Sequence, residues 1–347
     1  EGDTPGEAHS VAAAAPYAYV ADGQAGLRVL EVPVDPGTAS EFGNYSTLGL
    51  AQDVDPGATH AFVAAGDAGL SSMDLSVLAN PAQVGTLASV GYAQRITVAG
   101  TRSYIAAGPA GLVIADVTTP ESPTLLGQIA MPGDNYAWAV AVQGNTAYVA
   151  AEMAGLQVVD VTTPGAPFIL GALPAGTDGF YDVAVDGNYA YLAAGIDGVR
   201  VVDISTPATP QEVTSIPTGD YAWGVAVDNG HAYIADIDGG LVIASVANPA
   251  SPTVIVTFTG VPGPVLSVAV SADKALLTTD SAVTVVDVTV PSSPVLRASF
   301  ATAGEPQAVA PGTGNTLFVA DLDGGLAILE MAETPMPYRV YLPLVVK

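Results

Sequence analysis

Ala147-Tyr148-Val149-Ala150, a turn of small residues, then Gly155-Leu156-Gln157-Val158-Val159-Asp160-Val161 recurs in reworded form eight times along this chain. The aromatic or large apolar residue opening each copy falls at Tyr19, Phe62, Tyr104, Tyr148, Tyr191, Tyr233, Leu276 and Phe318, at intervals of 42 to 44 residues. A period that steady predicts one supersecondary unit packed against copies of itself.

Within the fourth unit, four extended stretches are expected at 138–142, 147–151, 156–161 and 168–173. Each is rich in Val, Ile, Tyr and Ala and has the length of an ordinary strand. Gln143-Gly144-Asn145, Asp186-Gly187-Asn188 and Asp228-Asn229-Gly230 suit tight hairpin turns that need positive φ. No window carries sustained apolar spacing of three and four, so helices should be nearly absent.

The third stretch ends on an acid in seven units, at Glu31, Asp74, Asp116, Asp160, Asp203, Asp287 and Glu330, with Ser245 in the sixth. Seven residues further on, seven units carry a proline, as at Pro123, Pro167 and Pro210. Proline cannot donate to a ladder, so it marks the connection between the third and fourth strands. The acid is expected to accept hydrogen bonds from that connection, as turn chemistry rather than catalysis.

Four antiparallel strands per period predict an all-β chain forming an eight-bladed β-propeller of four-stranded blades, a single domain over 1–347. A linear β-solenoid has shorter rungs and lacks this punctuation. Small first-strand residues such as Val140-Ala141-Val142 suit a crowded inner edge. The chain is expected to begin in a first strand near His9 to Ala14 and to end in a fourth, Tyr338 to Val346.

Leu156-Gln157-Val158-Val159-Asp160, Val199-Arg200-Val201-Val202-Asp203 and Val283-Thr284-Val285-Val286-Asp287 resemble the LVIVD repeat of bacterial surface and secreted proteins. The Thr-Thr-Pro or Ser-Thr-Pro that follows strengthens the likeness. It implies a propeller, often extracellular, with no shared catalytic residues to carry over. Arg28-Val29-Leu30-Glu31 and Ser71-Ser72-Met73-Asp74 depart from the wording most.

Composition bounds the function. With 34 acidic residues against 8 basic ones the net charge is -26, which argues against nucleic acid and against anionic membranes. No apolar run reaches the length of a spanning helix, so no membrane insertion is expected. There are no cysteines, which removes disulfides, thiolate metal sites and cysteine nucleophiles. Charged residues make up only 12% of the chain, so part of the surface is either buried between blades or covered by copies of the same protein. Export from a bacterial cell after signal-peptide removal, to the surface or beyond, is the expected localisation.

Three sets of residues are candidates for chemistry. Asp53, Arg95, Trp138, Tyr181, Asp182 and Trp223 stand near the starts of first strands, where a propeller opens its channel. There Asp53 and Asp182 suit paired carboxylates, and the aromatic residues suit stacking on a sugar ring or filling the spaces between blades. Asp236, Asp238, Asp321 and Asp323 resemble the opening of a calcium loop without its distal ligand, and Asp-Gly hairpin turns explain them equally. Tyr338, Val340, Tyr341, Leu342, Leu344 and Val345 form an unusually apolar last strand that either completes the eighth blade or contacts another subunit. The three histidines do not cluster. The expected role is a non-enzymatic structural or interaction protein outside the cell, without a required cofactor, whose partners are copies of itself or other surface proteins. The alternatives are a carbohydrate-binding or carbohydrate-processing propeller and a calcium-dependent adhesion module.

Overall fold

In the computed structural model the chain is all-β. The structure describes residues 53–301 apart from 57–58, 75, 77–81, 89, 272 and 280–281, together with strands at 10–14, 17–22, 26–31, 40–45, 306–311, 316–321 and 325–330. The described strands pair into eight antiparallel sheets, seven of four strands and one of three, each built from strands consecutive in sequence. We number them blades 1 to 8, over 10–45, 53–87, 95–129, 139–173, 182–216, 222–258, 267–301 and 306–330. In blade 4 the strands are Ala139–Gln143, Thr146–Ala150, Leu156–Asp160 and Phe168–Leu173, within a residue or two of the sequence expectation. The final strand expected at 338–346 lies outside the described residues.

First strands make the inner wall. Each lies against the first strand of the next blade, and Ser10–Ala14 lies against Pro306–Pro311, which closes the ring. A first strand is found at Ser10–Ala14, where one was expected near His9 to Ala14. Among the described residues the single helical element is a 3-10 turn at Pro132–Asp134. No helix among them is long and apolar enough to cross a membrane.

The apolar core is divided among the blade interfaces. Tyr104 of blade 3 packs with Val140 and Ala147 of blade 4. Tyr148 packs with Phe180 and Val183 of the next blade, Tyr191 with Val225, and Tyr233 with Val265. The repeated aromatic residue is therefore the wedge that fills the gap between neighbouring sheets, which explains its period.

The turns follow their chemistry. Gly144 and Gly187 adopt φ of 61° and 57° at the first turn position. Asn229-Gly230 takes 48° and 73° at both positions, the pattern of a primed hairpin turn. The acid ending the third strand does what its position predicts. Asp74, Asp116, Asp160 and Asp203 each accept a backbone N–H two residues on at 2.8 Å, and Asp287 does so at 3.0 Å.

One feature went unread in the sequence. In every blade with a described outer strand, the third and fourth strands slip register by a bulge at one equivalent place, such as Val158/Val159. In blades 2, 3 and 4 the residue beside the bulge is Gly85, Gly127 or Gly171. A Cβ there would collide with the carbonyl of Pro120, Pro164 or Pro207 in the following blade. The proline-bearing connection of one blade thus lodges in a slot left by the glycine of the blade before it.

Candidate functional site

The first strand begins, and the second meets the third, on one face of the ring. Here neighbouring blades are tied by backbone. Gly66, Gly108, Glu152 and Gly195, all at positive φ in the turn after the second strand, bridge to Ala93, Ala137, Phe180 and Ala222 on the incoming segment of the next blade. These four bridges fix where the residues at the entry to the first strands of blades 3 to 6 are held.

The result is a cavity of about 690 Å³ at the channel mouth, lined among others by Asp53, Gln94, Arg95, Trp138, Tyr181, Asp182 and Trp223. All six of the residues expected at the mouth are therefore brought together, although they come from five blades. Tyr181 and Trp223 stack with ring centroids 4.9 Å apart and planes 19° apart. Trp138 meets both edge-on at 6.1 Å, and Tyr136 lies 4.7 Å from Trp138. Tyr221 closes the cluster 5.8 Å from Tyr181. Glycine admits two of these rings. A Cβ on Gly108 would stand 2.8 Å from the Tyr136 ring, and one on Gly195 would stand 2.7 Å from that of Tyr221.

Hydroxyls order the cluster. Tyr221 donates to the Tyr181 hydroxyl at 2.9 Å, Tyr181 donates to Asp178 Oδ1 at 2.7 Å, and Tyr136 donates to Gln94 Oε1 at 3.2 Å. Burial alone would raise the Asp178 carboxyl, but the hydroxyls of Tyr221 and Tyr181 and the amides of Gly179 and Ile196 hold it below its ordinary value. Tyr221 is pushed up by burial first and by Asp178 and Tyr181 next, so it remains a neutral donor. The buried Trp138 Nε1–H has no acceptor among the described residues.

The carboxylates of the cavity are engaged with backbone. Asp53 Oδ2 accepts Ile96 N–H at 3.0 Å, and two residues on Asp55 Oδ2 accepts Val98 N–H at 2.7 Å. Asp182 accepts Val183 N–H at 2.9 Å and Val225 N–H at 3.1 Å. Each bond to the neighbouring blade reaches 43 residues ahead, one period, so the acids clasp adjacent inner strands whose amides face the channel. Burial raises the Asp182 carboxyl, against the pull of Arg95 and of the two amides, and the field of Asp53 adds to the rise.

The remaining candidates are dispersed. Asp236 is buried, and its carboxylate accepts Gly219 N–H at 2.8 Å and Asp220 N–H at 3.0 Å. Asp238 is exposed and its own N–H donates to Asp220 Oδ2. Asp321 ends the strand Thr316–Asp321, opposite Gly325 and Pro306. Asp323 and the residues Tyr338, Val340, Tyr341, Leu342, Leu344 and Val345 lie outside the described residues. Among the described residues, no three Asp, Glu or His side chains gather as a metal would require.

Sequence reasoning overlooked the apolar turn tips on this face, Met153 at 54% and Ile196 at 62% exposure, and the 36% exposure of Trp223. The signal was present in the repeat: the equivalent turn position holds Asp67 in blade 2 and Asp238 in blade 6.

No curated protein matches the chain. Among solved structures it is similar to a computationally designed protein, Ika8, at 12% identity and a TM-score of 0.79, covering 95% of this chain and 98% of that one. It is similar also to Chaetomium thermophilum Sqt1 bound to the N-terminus of the ribosomal protein L10, at 12% identity and TM-score 0.75 over 94% and 97% of the two chains. BamB from Moraxella catarrhalis matches at 13% identity and TM-score 0.67 over 94% and 95%. Identities this low speak to the fold alone, a β-propeller. The LVIVD repeat matches residues 5–47, 90–130, 134–173, 181–218, 219–259 and 262–302, most of the chain, with blades 2 and 8 outside the matches. The first unit is matched although its third strand departs from the repeat's wording. On these matches the chain belongs to the LVIVD repeat family.

Proposed function

We propose that this protein is a non-enzymatic interaction scaffold, exported to the bacterial surface, that receives a partner protein on the face bearing the channel mouth. The observation carrying this reading is the aromatic-walled cavity of about 690 Å³ whose acids serve as clasps between inner strands. Both oxygens of Asp182 and one oxygen of Asp53 accept backbone amides, which gives these acids a structural role that needs no substrate. Binding needs only the exposed apolar and aromatic surface that Met153, Ile196 and Trp223 provide. The propeller of Sqt1, which holds a protein terminus, gives the reading a parallel in fold.

The test uses the full chain immobilised against cell-envelope protein, compared with a Trp223→Ala/Met153→Ser/Ile196→Ser variant. A partner retained by the parent and lost by the variant supports the reading. Glycoside hydrolysis by the parent, abolished in a folded Asp182→Asn variant, would replace it with a carbohydrate-processing enzyme.

A second reading, association with copies of itself, rests on the opposite rim. Phe168, 52% exposed, and the exposed Leu125, Val254 and Leu296 all stand near the starts of outer strands. Such edges invite strand or side-chain contacts between molecules. Sedimentation velocity over a hundredfold concentration range would show oligomers that Leu125→Ser/Phe168→Ser dissolves, and a strictly monomeric parent would remove this reading.

A further inference from the structure

The mouth face alternates aromatic rings with carboxylates, which suits one partner chemistry. Tyr92, Tyr136 and Tyr221 occupy equivalent places ahead of the first strands of blades 3, 4 and 6, and Trp223 presents an exposed ring 6.1 Å from that of Tyr221. Burial raises the hydroxyls of Tyr92 and Tyr136, and nearby Asp67 adds to the rise of both. Glu152 approaches the backbone N–H of Tyr136, Asp178 holds Tyr181, and Asp220 with the exposed Asp238 continues the acidic arc around Tyr221.

Basic groups are scarce on this face. Among the described residues it carries Arg95 in the cavity, Arg200, which already pairs with Asp197 and Glu212, and Arg28 at the equivalent strand position of blade 1. Arg102, Lys274 and Arg297 belong to the other end of the blades, beside Ala99 or Asp287. The surface is therefore apolar at its centre and acidic at its edge.

We propose that the mouth face docks a basic segment of a partner protein, with arginine side chains lying on the rings of Trp223 and the tyrosines and apolar residues between them resting on Met153 and Ile196. This rests on the interaction reading given above and names its partner's chemistry. A guanidinium matches the pattern because its flat, weakly hydrated face stacks on aromatic rings while its edge donates to carboxylates. The acidic surroundings add steering and suppress acidic competitors.

Both tryptophans of the chain, Trp138 and Trp223, lie in this cavity, so intrinsic indole emission reports on the mouth alone. The probe is a fluorescein-labelled decapeptide of alternating arginine and proline, followed by anisotropy, with the unlabelled peptide followed by indole emission. Saturable binding that shifts the emission is expected. It should weaken about tenfold with Trp223→Ala, about the contribution of one desolvated cation–π contact, and several-fold with Asp67→Asn. Replacing arginine by lysine should weaken it less than replacing arginine by glutamine.

Three results would overturn the inference. Binding unchanged by Trp223→Ala would mean that the net charge of -26 holds the peptide anywhere on the surface. An emission shift produced by cellohexaose and not by the peptide would make the mouth a carbohydrate site. A mouth-dependent envelope partner that the peptide does not displace would keep the wider reading and remove this one.

Discussion

Asp182 sits in the channel wall with each oxygen accepting a main-chain amide, one within its own strand and one in the next blade. Removing the side chain takes the acceptor from two part-buried amides, so Asp182→Ala should lower stability by about 1–3 kcal/mol, at roughly 0.5–1.5 for each bond. Asp182→Asn keeps one acceptor and sheds a charge that burial disfavours, and should cost less than half as much. Equilibrium denaturation of the two variants checks the ordering. The sequence named Asp53 and Asp182 as residues of the mouth, and the structure gathers them there. It could not say that their oxygens would be taken by amides one period ahead, because hydrogen-bond partners across an interface leave no mark in one repeat. The turn acids were easier to read: Asp116 and Thr118 are two residues apart, and the bond between them is local. The hydroxyl chain from Tyr221 through Tyr181 to Asp178 was invisible for the opposite reason, since it joins the incoming segments of two blades where the period varies.

At the scale of the element, the strand pattern was legible because hairpin turns and alternating burial recur with every unit. The bulge and its glycine slot were not, because Gly127 reads alone as an ordinary small strand residue. Only its neighbour, the carbonyl of Pro164, explains it. Two substitutions separate this steric demand from a conformational one. Gly127→Ala forces a methyl against main-chain atoms of the following blade and should cost about 1–3 kcal/mol, as overpacking does. Gly144→Ala meets nothing within 4 Å but must hold φ of 61°, so its cost is the left-handed penalty of about 1 kcal/mol. Denaturant midpoints of both variants test the order, and an equal loss would deny the slot any packing role. The turn acids contribute at this scale through pH. The carboxyls of Asp74, Asp116 and Asp203 are held below their ordinary value of 3.8, chiefly by the hydroxyls and amides of Ser76, Thr118 and Ser205. Their stabilisation is complete above 3.8 and is lost as pH falls through the folded values. Asp55, Asp182 and Asp236 are raised by burial and act in the opposite sense, favouring the fold as they take up protons on the way down to 3.8. Thermal melting across pH should therefore show a maximum between 3.8 and the raised values of those three, then a fall below it. A monotonic loss from neutral pH downward would contradict the assignment.

Across the whole molecule, a net charge of -26 acts against compactness everywhere at once. Added sodium chloride should raise the melting temperature by several degrees between about 10 and 300 mM, as the screening length shortens from roughly 30 Å to under 10 Å. Differential scanning calorimetry checks this, and a salt-independent melt would mean that the acids are neutralised locally. Since the apolar clusters straddle adjacent blades, a single blade has no sufficient core, and melting should be shared among neighbours rather than confined to one repeat. Nearly every strand has its partner a short way along the chain. The seam is the exception, where Ser10–Ala14 must find Pro306–Pro311 across almost the full length of the polypeptide. Hairpins should therefore form early and in parallel along the nascent arc, while the meeting of its two ends waits for every intervening joint to take its angle. Apart from phases set by proline isomerisation, the slowest refolding step should be that last joining, and a label on either side of the seam would watch it happen.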